Sequence, residues 1–137
     1  MRFDTCADSY DAHAAPQRAF AAKVAEFIGP VPETQIIEFG AGTGALTRHL
    51  CHAAKTEVHA TDASPAMVAR GRVAVPAAQW SALDAFQASL SAAGLQVSSG
   101  LLQWAEDPVE VLRRWKAAIA PGGRMAHAVP CEPCLSE

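Results

Sequence analysis

Glu38-Phe39-Gly40-Ala41-Gly42-Thr43-Gly44 sets a carboxylate ahead of three alternating glycines, and Asp62 and Asp84 supply further carboxylates downstream. Glycines between a strand and a helix let backbone N–H groups approach a ligand at the helix N-terminus. Gly40-x-Gly42-x-x-Ala45 fits a dinucleotide fingerprint, and Asp62 lies about 20 residues on, where a ribose-binding acid belongs. The same glycines also suit a tight connection that holds no ligand. Cys131-Glu132-Pro133-Cys134 is a lone C-x-x-C; a zinc site needs about four ligands and no second pair exists, so no metal ligand is assigned. No Ser-His-Asp or Cys-His constellation is evident, and His13, the best basic candidate, reads as a surface or capping histidine. No catalytic side chain is assigned.

These groups need elements to position them. Phe20, Val24, Phe27 and Ile28 make an amphipathic stripe, with Pro16 in its first turn and Gly29-Pro30 ending it. Gln35 to Phe39 is a short apolar strand, and the helix after the glycines carries Leu46 and Leu50. Val58 to Thr61 is a second strand ending at Asp62, and Ser64-Pro65 caps a helix reaching about Arg72. Ala77–Ser81 and Leu95–Ser99 read as strands three and four, with residues 84–93 either helix or loop. Pro108 to Ile119 is a helix with Val109, Leu112, Trp115 and Ile119 on one side; Pro121-Gly122-Gly123 is a tight turn into a fifth strand, Arg124 to Val129. Alternating strands and helices predict an α/β, Rossmann-like doubly wound, mainly parallel sheet in the order 3-2-1-4-5.

The chain has 137 residues, a net charge of -3 and half its residues hydrophobic, which fits one globular domain. A pI near 5.9 argues against nucleic acid as a partner. No apolar run approaches the roughly 20 residues of a membrane span, and no signal peptide is expected. A cytoplasmic location is therefore the expectation.

Three features favour S-adenosylmethionine over a nicotinamide cofactor. A Glu38 carboxylate would repel a pyrophosphate yet pair with the ammonium of an amino-acid cofactor. In Trp80-Ser81-Ala82-Leu83-Asp84-Ala85 a carboxylate follows the third strand and can accept from an adenine amine, and Pro121-Gly122-Gly123 opens the fifth strand. These residues resemble successive motifs of the class I S-adenosylmethionine-dependent methyltransferases. Ala7-Asp8-Ser9-Tyr10-Asp11 through Pro16-Gln17, and Ser98-Ser99-Gly100-Leu101-Leu102-Gln103-Trp104 with Asp107-Pro108, resemble the malonyl-acyl-carrier-protein O-methyltransferases of biotin biosynthesis.

The resemblance implies that Tyr10 reaches the methionine carboxylate and Glu38 its ammonium, while Gly40, Gly42 and Gly44 line the amino-acid and ribose portion. It implies that Asp62 accepts both ribose hydroxyls, Met67 packs on adenine, Asp84 takes the adenine amine and Ser99 lies beside the sulfonium. The implied acceptor is a carboxylate oxygen of a small acid or an acyl-carrier thioester. Alternatives are another small-molecule methyltransferase, a non-catalytic S-adenosylmethionine-binding module and a nicotinamide-dependent enzyme. The resemblance also implies sixth and seventh strands after residue 137, so that a single methyltransferase domain is cut short and its fifth strand is a possible surface for self-association.

Overall fold

A computed structural model describes residues 15–31 and 34–130. Along it run α1 (Ala15–Ile28), β1 (Ile36–Phe39), α2 (Ala45–Ala53), β2 (Val58–Asp62), α3 (Pro65–Ala74), β3 (Gln79–Ala82), β4 (Ala93–Ser99), a 3-10 turn (Leu102–Trp104), α4 (Pro108–Ala117) and β5 (Ile119–Ala128). All neighbouring strands pair in parallel, in the order β3-β2-β1-β4-β5. The doubly wound sheet is thus present as predicted. β1 lies at its centre, Ile36 pairing with Val58 on one side and Leu95 on the other.

Side-chain alternation along β1 divides the core. Ile36 joins Val24 and Ile28 of α1 and Leu46 and Leu50 of α2, whereas Ile37 and Phe39 join Val111 and Trp115 of α4. A smaller cluster sets Val68 of α3 and Val75 against Ala60 and Trp80 of β2 and β3. Ser64 caps α3 as expected, its Oγ accepting the Met67 N–H at 3.2 Å ahead of Pro65.

Several boundaries and faces differ from the sequence reading. Phe27 is 87% exposed, because Ala21, Val24 and Ile28 are the α1 residues that meet the core. Val109 is likewise exposed, and α4 instead buries Val111 and Trp115, an i, i+4 pair. Pro121-Gly122-Gly123 is a bulge inside β5, not a turn before it: pairing steps from Ala93↔Ile119 to Leu95↔Arg124. Gly122 takes φ +77°, which lets the additional residues loop outward. Residues 84–92 form a turn and an extended connection, so the helical alternative there is not realised. Among the described residues no helix is long and apolar enough to cross a membrane.

Candidate functional site

The glycine turn begins where β1 ends. Gly40, Gly42 and Gly44 take φ of +62°, +60° and +102°, a region that side-chain-bearing residues enter only at a cost. β2 pins this turn from the side. The Thr61 carbonyl accepts the Ala41 N–H at 2.8 Å, and the Thr61 hydroxyl donates to the Glu38 carbonyl at 2.8 Å. Asp62 Oδ2 accepts the Gly42 N–H at 2.8 Å, and its Oδ1 accepts the Ser64 N–H at 2.9 Å. One carboxylate therefore fastens the turn after β1 to the turn after β2.

A cavity of about 510 Å³ opens at the carboxyl ends of the strands, beside the switch point between β1 and β4. Its size suits a small-molecule ligand, for which roughly 300–1,000 Å³ is usual. Gly40, Gly42, Asp62, Met67, Asp84 and Ser99 line it, so six of the sequence candidates converge on one space. Asp84 is exposed, and its Oδ1 accepts the Phe86 N–H at 3.0 Å. That short-range bond shapes the turn after β3 and leaves carboxylate capacity for a further donor.

Glu38 and Gly44 do not line the cavity. A Cβ on Gly44 would come within 2.7 Å of Val75 Cγ2, so this glycine admits close packing of the turn against the end of α3. Glu38 faces α2, is 2% exposed and accepts the Thr47 hydroxyl at 2.5 Å on Oε1. Burial pushes its carboxyl up to about 8; the Thr47 bond opposes the shift and the Asp62 charge adds to it. At neutral pH Glu38 therefore holds a proton, and the repulsion of a pyrophosphate expected from its charge is largely absent. Tyr10, His13, Cys131 and Cys134 lie outside the described residues. Among the described residues no group of three His, Cys, Asp or Glu is placed to hold a metal ion.

Phe86, Leu101 and Trp104 also line the cavity, and the sequence reading gave them no role. Their signal was position: Phe86 follows Asp84 by two residues, and Leu101 and Trp104 follow Ser99 within one short turn. Leu101 approaches the first glycine closely, since a Cβ on Gly40 would meet its Cδ1 at 3.0 Å. The turn after β4 is thereby keyed to the turn after β1.

The methyltransferase-domain family matches residues 37–125, from inside β1 to inside β5. A malonyl-[acyl-carrier protein] O-methyltransferase from Halorhodospira halophila is 36% identical across 92% of this chain and 45% of its own. A trans-aconitate 2-methyltransferase from Variovorax paradoxus is 33% identical across 74% of this chain and 40% of its own. The solved DhpI–SAM–HEP complex superposes with a TM-score of 0.75 at 28% identity, over 90% of this chain and 60% of that one. The chain belongs to the methyltransferase-domain family, in its class I S-adenosylmethionine-dependent branch. It spans under half the length of these two curated relatives.

Proposed function

We propose that the domain binds S-adenosylmethionine in the strand-end cavity and directs its methyl group to a carboxylate oxygen of a small acid or an acyl-carrier thioester. The observation that carries this reading is the convergence of Gly40, Gly42, Asp62, Met67, Asp84 and Ser99 on one cavity. Its donor set fits the cofactor. Asp62 stands where two ribose hydroxyls can donate to it, the Met67 side chain offers a polarisable surface for adenine, and Asp84 can accept the adenine amine. Glu38 lies behind the turn, and its role is to hold the turn rather than to face the ammonium. Tyr10 is proposed to close over the methionine carboxylate.

S-adenosylmethionine supplies, when bound, a methyl group already activated on a sulfonium. The protein's share is alignment. A carboxylate acceptor is ionised at neutral pH, so its oxygen forms the new O–C bond as the S–C bond breaks, and no general base is required. The lining fits that economy, because among the described residues it includes no histidine, lysine or cysteine. Similarity to a malonyl-[acyl-carrier protein] O-methyltransferase and to the bifunctional biotin biosynthesis protein BioCD of Bordetella avium supports a malonyl thioester as acceptor and a place in biotin biosynthesis. Similarity to a trans-aconitate 2-methyltransferase supports a free small acid as the second reading.

Calorimetric titration with S-adenosylhomocysteine tests the pocket, and a product assay with malonyl-acyl-carrier protein and trans-aconitate then separates the acceptors. Micromolar, one-to-one binding followed by ester formation on one of them is the expected result. Binding without transfer to any acid would favour a non-catalytic binding module. A folded chain that binds no S-adenosylhomocysteine would overturn the assignment of this cavity.

A further inference from the structure

Three tryptophans are present, and they are treated very differently. Trp80 and Trp115 are buried, and each donates its indole N–H to a backbone carbonyl at 2.9 Å, Val75 and Ala85 respectively. Trp104 is 58% exposed and lines the cavity, and its indole N–H has no hydrogen-bond partner among the described residues. An aromatic ring with a free N–H at a cavity rim is suited to a ligand that is apolar on one side and accepting on the other.

The position of Trp104 is tightly set even though its side chain is open. Gly100 turns the chain at φ +71°, Leu101 packs into the space that Gly40 leaves by lacking a Cβ, and the Trp104 N–H donates to the Leu101 carbonyl at 3.0 Å. Trp104 is thus referenced to the glycine turn through Leu101, and it stands on the Ser99 side of the cavity rather than on α3 with Met67.

The rest of the wall sharpens its role. Among the described residues, Asp62 and Asp84 are the acidic acceptors of the wall, no lysine, arginine or histidine lines the cavity, and its side-chain donors are the Ser99 hydroxyl and the Trp104 indole. An anionic acceptor beside this part of the wall can take a hydrogen bond from such a neutral group. A single neutral N–H can hold one carboxylate oxygen and leave the second free to attack, whereas a bidentate guanidinium would engage both. We infer that Trp104 is an acceptor-binding residue that selects carboxylate-bearing substrates by donating its indole N–H to one carboxylate oxygen. This rests on the carboxyl-methylation reading above.

The test compares wild type with Trp104→Phe, which keeps an aromatic ring and removes the N–H. Each protein is saturated with S-adenosylhomocysteine and titrated with malonyl-acyl-carrier protein and with acetyl-acyl-carrier protein, which lacks the carboxylate. The expected result is malonyl binding weakened about tenfold or more in the variant, with acetyl binding and S-adenosylhomocysteine affinity each unchanged within about twofold. Equal malonyl binding by both proteins overturns the role of Trp104 and leaves the carboxyl-acceptor reading standing. A parallel loss of S-adenosylhomocysteine affinity overturns it as well, by placing the ring on the cofactor. Wild type that discriminates neither thioester refutes the malonyl reading itself, and the inference falls with it.

Discussion

Asp62 Oδ2 accepts the Gly42 N–H at 2.8 Å, which ties the last residue of β2 to the middle glycine of the turn after β1. The same carboxylate holds the Ser64 N–H, so it supports the pocket's shape and also faces the cavity. Asp62→Ala is therefore expected to weaken S-adenosylhomocysteine binding tenfold or more, roughly 1–2 kcal/mol. It should also lower stability by about 1–3 kcal/mol, because backbone donors lose a charged acceptor. Calorimetry and thermal unfolding read the two effects separately. Unchanged affinity in a folded variant would remove Asp62 from the binding surface.

Glu38 gives a pH dependence whose sign is opposite to that of an ion-paired carboxylate. Its carboxyl ionises near the ordinary 4.5 when unfolded but only near 8 when folded. The folded state therefore binds the extra proton, and stability falls as pH rises between those values. Glu38→Gln keeps the shape and a partner for Thr47 without the titration. The variant's stability relative to wild type should improve by about 2–4 kcal/mol between pH 5 and pH 8. Denaturant unfolding at the two pH values measures it, and a pH-independent difference would show that Glu38 is ionised in the fold.

Gly71 sits inside α3, where replacing glycine with alanine ordinarily stabilises a helix by up to about 1 kcal/mol. Here a Cβ would lie 2.3 Å from the Trp80 ring, which cannot easily withdraw because its Nε1–H is bonded to the Val75 carbonyl. Gly71→Ala should therefore destabilise by about 1–3 kcal/mol. A rise in melting temperature would show that the ring moves aside freely.

What could be read in advance depended on whether a local pattern determined the outcome. Ile36-Ile37-Glu38-Phe39 before three glycines, and Ser64-Pro65 before a helix, carry their structure within a few residues, and both were legible. Phe27 was misplaced because α1 turns Ala21 to the core, and one alanine among many carries no directional signal. Pro121-Gly122-Gly123 reads as a tight turn ahead of the fifth strand because its pairing with β4 resumes only after a bulge that long-range register creates. Burial depth was equally hidden: Glu38 reads as an acid in sequence, and only its burial under the turn, which outweighs the opposing Thr47 bond, shows that it keeps its proton. The cavity followed the same rule, with the acids legible by spacing and Trp104 legible only once Leu101 was seen against Gly40.

His127 supplies the acid-side counterpart to Glu38. It bridges β4 from β5, its Nδ1 lying 2.8 Å from Ser98 Oγ and its Nε2 3.3 Å from Gln96 Oε1. Gln96 uses its Nε2 to donate to the Trp115 carbonyl at 3.0 Å, so its Oε1 faces the ring and asks for the imidazole N–H on Nε2. Nδ1 then accepts from the Ser98 hydroxyl, and a neutral ring satisfies both bonds. Packing against Trp115, with centroids 4.6 Å apart, excludes water on that side. Burial lowers the His127 pKa from 6.5 to about 4. The unfolded chain takes up this proton first, so stability should fall by about 1–3 kcal/mol as pH drops from 6.5 to 4. His127→Phe keeps a ring against Trp115 and abolishes the titration, at the cost of leaving Ser98 and Gln96 without this partner. It should be less stable than wild type at pH 7, with the gap narrowing by that same amount toward pH 4. Parallel stability curves over this window would mean that His127 charges in the folded state as readily as in the unfolded one.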